Sequence, residues 1–290
     1  MNYEWIFAFV VFAEHLNFTR AANELHLSQP ALHVQIKKLT DALGRPLYRR
    51  NGKVLSLTPE GKRLAAFGRD VQERGRAVLD ELRGQSVSGP VVLASGQGAF
   101  LYLLGPAIQR FPKDRWPLRL LSMSGPDAIE AVREAKAHLS VIATETPPAD
   151  LIATPLRSVG QKVVLPASHR LARRRSLRPI DLRDQPLVVA PAGSPHRGML
   201  QQLLRAGGCE MSVAVEATGW ELMLQFAKYG IGVAVVNDFC PAPRGMVDIP
   251  LEGAASITYY LIERDARPSP GAEAMRALIF ETTRSNAPRA

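Results

Sequence analysis

The chain has 290 residues, 46% of them hydrophobic, and a formal net charge of +9. This length and apolar content are enough for more than one domain with a buried core, which excludes a disordered tail. The positive charge favours a polyanionic partner.

Several classes of protein do not fit the sequence. No stretch approaches the roughly 20 apolar residues of a membrane span, and the N-terminus, acidic at Glu4, does not resemble a secretion signal. We therefore expect a cytoplasmic protein with no membrane partner. The two cysteines, Cys209 and Cys240, do not make a disulfide framework, and no Cys/His group has zinc spacing. We expect neither a metal nor a cofactor.

The first fifty residues predict three helices. The first runs from Tyr3 to His15 and carries aromatic residues that should cover the other two helices, namely Trp5, Phe9 and Phe12. Thr19 is a candidate cap for the second helix and Ser28 for the third. The third helix has apolar residues at helical spacing, which predicts a buried face: Leu32, Ile36, Leu39 and Leu43.

A second face of the third helix lies beside the apolar one, near the helix N-terminus, where a recognition helix meets base edges. It carries Gln29, Pro30, His33, Val34 and Lys37. The first sixty residues therefore predict a winged helix-turn-helix that docks on duplex DNA.

The predicted wing is a hairpin around Asn51-Gly52, a strong hairpin signal. Arg49, Arg50 and Lys53 at its tip should contact phosphates, which adds affinity without sequence information. The alternative is a merely solvated hairpin. A second basic run, residues 169–178, is interpreted as a solvated loop and helix start with no DNA role.

The residues of this region also carry a resemblance. The run AANELHLSQPALHVQIKKL, followed by LTPEGKRL, resembles the DNA-binding end of the LysR-type transcriptional regulators. The chain departs from the family pattern at His33, Thr40 and Tyr48, of which only His33 lies on the predicted DNA face. The resemblance implies double-stranded promoter DNA and RNA polymerase as partners, with Thr19, Arg20 and Ser28 added to the contact residues.

A long helix is predicted to follow the wing. Thr58 caps it, Pro59 is its first residue, and the pattern continues to about Gln85. Apolar residues and one glycine form a heptad face, which we define as Leu64, Phe67, Val71, Gly75, Val78 and Leu82. Such a face predicts pairing with a second copy of the helix, in a homodimer or homotetramer. The alternative is packing on the chain's own downstream domain.

The remaining residues alternate between strand-like runs, small polar loops and helices, which predicts an α/β domain with parallel sheets. The runs KYGIGVAVV and VVLPASHRLA resemble segments of the LysR-type effector-binding domain, which has the two-lobed fold of periplasmic binding proteins. Ser140 stands where that family commonly has Asp. We predict a DNA-binding domain at 1–58, a linker helix at 59–88 and an effector-binding domain at 89–290. Its first lobe should comprise 90–162 plus 266–290, and its second lobe 163–265.

No catalytic motif or nucleophile-base arrangement is present, so we expect no enzyme activity and no catalytic residue. Ligands of parallel sheets bind beyond the strand C-termini, where helix N-termini offer free N–H groups. The loops there carry the candidate effector-binding residues Ser95, Gln97, Gly98, Ser124, Thr144, Ser194 and Thr218. Neutral donors of this kind suit a small, anionic effector, although each side chain alone could be a helix cap.

Other residues extend this predicted cleft. Phe100, Trp220 and Phe239 are candidates for an apolar wall, or for ordinary core, and His196 and Arg197 for countercharges. Two other functions stay open. A redox-sensing regulator would use Cys209 and Cys240 as thiolates of lowered pKa. A purely architectural DNA binder would bind without sequence preference and would leave the large second domain without a role.

Overall fold

The computed structural model describes residues 2–83 and 89–285. Its N-terminal domain contains helices α1 (Tyr3–His15), α2 (Phe18–Glu24) and α3 (Gln29–Leu43) and the hairpin strands β1 (Tyr48–Asn51) and β2 (Val54–Leu57). The long helix α4 (Pro59–Leu82) follows. Phe9, Phe12 and Leu32 are fully buried where the three helices meet. The predicted winged helix-turn-helix is confirmed.

Two local predictions in this domain were wrong. The cap of α2 is Asn17, whose side chain accepts from the backbone N–H of Arg20, and Thr19 lies inside the helix. Leu43 is 39% exposed rather than buried, because it is the last residue of α3 and Gly44 ends the helix in a left-handed conformation. The predicted cap at Ser28 is confirmed by its bond from the N–H of Ala31.

The hairpin turns one residue later than the pattern predicted. Asn51 is the last residue of β1 and pairs with Val54, so Gly52 and Lys53 are the two turn residues. Gly52 has φ +62°, the conformation that a tight hairpin requires at its first central position and that glycine adopts without strain.

The linker helix α4 begins as predicted, since the hydroxyl of Thr58 accepts from the N–H of Gly61. The predicted end near Gln85 lies outside the described residues. Along the heptad face, Phe67, Val78 and Leu82 are 45%, 55% and 79% exposed. The same helix also packs through polar side chains on the chain's own downstream domain, which was the alternative. Lys62 binds Glu130 at 2.7 Å in an example of this contact.

The downstream residues form two sheets with helices around them. The strands are β3 (Val91–Ser95), β4 (Leu118–Ser122), β5 (Leu139–Ala143), β6 (Ile152–Val159), β7 (Gln161–Pro166), β8 (Leu187–Val189), β9 (Val213–Glu216), β10 (Val233–Asn237), β11 (Met246–Pro250) and β12 (Ile257–Glu263). The helices are α5 (Gln97–Tyr102), α6 (Gly105–Arg110), α7 (Gly125–Arg133), α8 (Pro195–Ala206), α9 (Trp220–Lys228) and α10 (Pro270–Ser285), with short 3₁₀ turns at Arg170–Arg173 and Pro179–Leu182.

Each sheet defines one lobe. The first lobe has the strand order β4-β3-β5-β12-β6 and the second lobe β11-β7-β10-β8-β9. The expectation of parallel sheets holds only for part of each, because β6 and β12 are antiparallel in the first lobe, as are β7 and β11 in the second. These antiparallel strands flank or follow the two passages of the chain between the lobes.

The pairing corrects the predicted lobe boundaries. Strand β12 pairs with β5 and β6, so the chain is back in the first lobe by Ile257 and not only at residue 266. Gln161 and Lys162 pair with β10 of the second lobe, so the first lobe ends before them. Among the described residues, no helix is long and apolar enough to cross a membrane.

Candidate functional site

The exposed face of α3 is the first candidate site. Leu32, Ile36 and Leu39 turn inward and are at most 1% exposed. The predicted contact residues on the remaining surface of α3 and just before it are all exposed: Ser28, Gln29, Pro30, His33, Val34 and Lys37. Packing of the apolar stripe therefore directs this polar face to solvent at the N-terminal half of the helix.

Neighbouring side chains hold this face in place. The hydroxyl of Thr19 lies 3.4 Å from Oε1 of Gln29, so α2 positions the amide at the start of α3. The ring of Phe18 lies 4.9 Å from the ring of His33, which restricts the imidazole. Arg20 is exposed beside Thr19. All three of the predicted α2 and α3 polar groups, Thr19, Arg20 and Gln29, thus lie on one surface region.

The hairpin adds cations to the same domain. Arg49, Arg50 and Lys53 are exposed, as predicted. Nε of Arg50 donates to the carbonyl of Gly52 at 3.0 Å, which ties the side chain to the turn. From residue 28 to residue 63 the chain has eight Lys or Arg residues against Asp41 and Glu60. This region therefore has the electrostatic character that a phosphate backbone requires.

The predicted effector residues do not all meet in one cavity. Ser95 is 0% exposed, and its hydroxyl donates to the carbonyl of Val141 inside the first lobe. Ser124 caps α7 and donates to Oδ2 of Asp127 at 2.6 Å. Thr218 is exposed in the loop before α9. In this arrangement Ser95 and Ser124 act as structural hydrogen-bonding groups.

Gln97 and Gly98 lie where the two lobes touch. The Gln97 side chain packs directly against Gly219 of the second lobe. A Cβ atom on Gly98 would lie 2.5 Å from Nε1 of Trp220, so this glycine allows the indole to lie against the start of α5. Trp220, predicted as part of an apolar wall, therefore closes the inner part of the cleft.

Thr144 and Ser194 do come together. They lie on opposite walls of an open cavity of about 610 Å³ between the lobes, which we call the mouth cavity. Ser194 caps α8 by accepting from the N–H of Arg197, whose guanidinium also lines the cavity. Glu145 lies on the first-lobe side. The mouth cavity therefore has its cation and a helix N-terminus on the second-lobe wall and its carboxylate opposite.

His196 does not act as a countercharge. It is 4% exposed, and burial lowers the pKa of the imidazole to about 3, so the ring is neutral at physiological pH. Its ring packs on Trp220 at 4.7 Å in a T-shaped arrangement. Phe239, a candidate wall residue, lies 5.8 Å from the ring of Tyr259, and Phe100 packs on the main core.

The sequence reasoning missed three polar residues between the lobes, Gln161, Asn237 and Tyr259. All are at most 6% exposed. Nδ2 of Asn237 donates to the hydroxyl of Tyr259 at 3.1 Å, which links the second lobe to the first. The available signal was a Gln that opens the apolar strand QKVVLP and an Asn that closes VAVVN.

The two cysteines lie in separate cores. Cys209 packs with the cluster that contains Val163 and Val235, and Cys240 with the cluster that contains Val164 and Val236. Since successive strand residues face opposite sides of a sheet, the two thiols lie on opposite faces of the second sheet. Burial raises the pKa of Cys240 to about 12.

The described parts of the chain contain no group of three or more His, Cys, Asp or Glu side chains that could hold a metal ion.

Comparisons with known proteins agree across both domains. Residues 3–62 match the family described as bacterial regulatory helix-turn-helix protein, lysR family, and residues 84–284 match the LysR substrate binding domain. A CysB transcriptional regulator from Burkholderia cenocepacia is 30% identical over 250 residues, which are 82% of this chain and 79% of that protein.

Solved structures share the fold. A full-length OxyR from Pseudomonas aeruginosa superposes with a TM-score of 0.74 at 23% identity, over 98% of this chain and 95% of the other. Full-length CbnR in complex with its target DNA gives 0.58 at 18% identity, over 98% and 100%. With the helix-turn-helix, the linker helix and the two-lobed domain in one chain, and both family models matched, this protein belongs to the LysR family of bacterial transcriptional regulators.

Proposed function

We propose that this LysR-family regulator binds promoter DNA with the exposed face of α3 in the major groove and the β1-β2 hairpin on the phosphate backbone, in the cytoplasm. The observation that carries the proposal is the exposed polar face of α3 beside a basic hairpin. Its contact residues are Thr19, Arg20, Ser28, Gln29, Pro30, His33, Val34, Lys37, Arg49, Arg50 and Lys53. Contact with RNA polymerase belongs to the same role.

Two substitutions test the division of roles. Gln29→Ala should cost about 1–3 kcal/mol on a cognate site and little on random DNA, because an amide bound to a base edge reads sequence. Lys53→Ala should weaken binding to both DNAs and flatten the dependence on salt, because it removes a phosphate contact. Fluorescence anisotropy over a salt series measures both. Equal losses on both DNAs for Gln29→Ala would contradict the assignment.

The regulator is also proposed to pair through α4. The exposure of Phe67, Val78 and Leu82 supports this, because these apolar side chains lie on one heptad face and remain open to solvent in a single chain. A homodimer, or a homotetramer built from two such pairs, would cover them.

The proposed signal is a small anionic or strongly polar molecule in the mouth cavity. Arg197 and the N-terminus of α8 with Ser194 supply positive potential on one wall, and Thr144 supplies a hydroxyl on the other. The effector's anionic group should therefore lie on the second-lobe wall, away from Glu145. By binding one arrangement of the lobes better than another, the effector would shift the DNA-binding state.

A thermal-shift screen of carboxylic-acid metabolites tests this part. A bound acid should raise the melting temperature with the logarithm of its concentration, and Arg197→Gln should reduce the shift. Arg205→Gln is the matched control, since Arg205 is exposed on the same helix but does not line the mouth cavity. An unchanged shift in Arg197→Gln, or an equal reduction in both variants, would contradict the proposed position.

The redox alternative has weaker support. A sensor thiol needs a lowered pKa and access to solvent, whereas Cys240 is fully buried with a raised pKa and Cys209 is 4% exposed. Their positions on opposite faces of the second sheet also prevent a disulfide without refolding of the lobe. The small-molecule effector is therefore the proposal that the geometry favours.

A further inference from the structure

Behind the mouth cavity, a set of buried polar side chains crosses from one lobe to the other. We call it the inter-lobe cluster and define it as Gln161, His196, Trp220, Asn237 and Tyr259. Among protein groups in the described residues, five of its polar atoms have no hydrogen-bond partner: Nε2 and Oε1 of Gln161, Nδ1 and Nε2 of His196, and Oδ1 of Asn237.

The members are neighbours. Gln161 on β7 is directly opposite Asn237 on β10 in the antiparallel register, so the two side chains share one face of the second sheet. Val163 and Val235 extend that face, and both pack in the core that also contains Met199 and Leu200 of α8.

His196 reaches the same region from the helix side. It lies three and four residues before Met199 and Leu200 and therefore on the same buried face of α8. Its ring contacts Trp220, whose indole interacts with the hydroxyl of Tyr259, the group that Asn237 also binds. The unpartnered atoms therefore surround one continuous region.

This region lies where the lobes separate. Val159 ends β6 in the first lobe and Gln161 begins β7 in the second, so only Gly160 stands between them at this crossing. Tyr259 belongs to the first lobe, whereas Asn237 and Trp220 belong to the second. Opening of the lobes would move Trp220 away from Gly98 and expose the cluster to the mouth cavity.

Leaving these atoms unpartnered destabilises the closed form. A buried donor or acceptor without a partner keeps its desolvation cost, and an apolar side chain of similar shape would avoid it. Gln161 lies in a strand that is otherwise apolar at its neighbouring buried positions, Val163 and Leu165. Groups that reduce stability in this way are typical of binding sites.

The chemistry of the cluster distinguishes between ligands. The amide of Gln161 offers both a donor and an acceptor, neutral His196 offers one of each, and Oδ1 of Asn237 is an acceptor. A carboxylate placed here would face two amide oxygens and receive no charge from the imidazole. A group that donates as well as accepts would satisfy both kinds of atom.

We propose that the inter-lobe cluster binds an uncharged donor-acceptor group, such as a carboxamide, of an effector whose anionic end lies at Arg197 in the mouth cavity. The inference rests on the proposed function and adds a second recognition element to it. The cluster selects the effector by its neutral polar group, and the mouth cavity binds its charge.

The stability of the full chain without any added ligand gives the first test. Gln161→Met and His196→Leu keep the side-chain volume but remove unpartnered polar atoms, so each should raise the melting temperature by roughly 2–4 °C. His138→Leu is the matched control, because both ring nitrogens of His138 have partners, the N–H of Val92 and the carboxylate of Glu73. That variant should melt lower. Lower melting of both Gln161→Met and His196→Leu would overturn the proposal.

The second test uses nicotinamide and nicotinate, which share a ring and differ in amide against carboxylate. Nicotinamide should raise the melting temperature of the wild-type protein, and Gln161→Met should weaken its binding at least about tenfold. The response to nicotinate should instead depend on Arg197→Gln. No nicotinamide shift, or an equal shift in Gln161→Met, would overturn the inference, whereas loss of the Arg197 effect on acids would contradict only the proposed function.

Discussion

Serine residues at equivalent strand-to-helix loops have different physical roles in this protein. Ser95 is fully buried and donates to Val141, whereas Ser194 caps α8 at the edge of an open cavity. Both follow an apolar strand and precede a helix, so their local sequence predicts the same role for each. The difference arises from the depth at which the strand ends inside its lobe.

The first prediction follows from this difference. Ser95→Ala should lower the free energy of unfolding by about 1–3 kcal/mol, because the Val141 carbonyl loses its donor inside the core. Thr144→Ala should change it little, since Thr144 is only partly buried and its hydroxyl donates to the nearby Thr146 carbonyl. Urea denaturation of both variants measures the two values. Equal stability of Ser95→Ala and wild type would show that the hydroxyl is not needed for packing.

At the scale of elements, α4 presents two different surfaces. Arg69 donates to the carbonyl of Glu134, and Asp70 and Glu73 bind Arg264 and His138 at 2.9 Å, so one side of the helix is bound to the first lobe. The heptad face, with Val78 and Leu82, remains open. Periodicity predicted the apolar face, but the polar contacts depend on residues more than sixty positions away.

The second prediction concerns this open face. Val78→Asp should dissociate the proposed α4 pair, because it buries an unpaired charge at the interface, and should leave the single chain folded because Val78 is 55% exposed there. Leu222→Asp is the matched control, since Leu222 is a similarly exposed apolar residue on α9. Light scattering with circular dichroism distinguishes the outcomes. An unchanged mass for Val78→Asp would exclude α4 as the interface.

At the scale of the whole molecule, the DNA-binding domain and α4 are connected to the effector domain by a charged junction. Lys62 binds Glu130 and Glu134 on α7 and its C-terminal end, at 2.7 and 3.0 Å. The guanidinium of Arg264 binds Asp70 together with the carbonyls of Val132 and Ala137. A change in the first lobe can therefore reach α4 through direct contacts.

The third prediction is the pH dependence of this junction. The hydrogen bond from Lys62, followed by that from Arg133, lowers the pKa of Glu130. A carboxyl group with a lowered pKa stabilises the fold above its unfolded-state pKa and loses that contribution as pH falls through the folded-state pKa. The melting-temperature difference between wild type and Lys62→Met should therefore be largest near neutral pH and disappear in acid, below the usual glutamate pKa of about 4.3.

The control for this prediction is Lys113→Met, since Lys113 donates to the backbone carbonyl of Ile108 and not to a carboxylate. Its melting-temperature difference should not share that pH dependence. A Lys62→Met difference that persists unchanged in acid would show that the ion pair does not stabilise the junction. Both surfaces are partly exposed, so the effect should also shrink at high salt.

Much of the fold could be predicted from the sequence because its signals are local. The apolar spacing of α1 and α3, the Ser28 and Thr58 caps, the Asn51-Gly52 hairpin and the apolar runs of the two sheets each depend on residues within a few positions of one another. The same is true of the exposed basic surface of the first domain, because a helix with one apolar face must turn its other face to solvent.

Only the tertiary structure decided which strands share a sheet and which polar residues meet. The return of β12 to the first lobe joins Tyr259 to Asn237 and the neighbouring Gln161, residues far apart in sequence. Helical or strand periodicity carries no information on such pairs, because backbone pairing of distant segments places them. Burial also determined that Ser95 is a core hydrogen-bond donor and that His196 is neutral, since both properties depend on the depth of the side chain in the lobe.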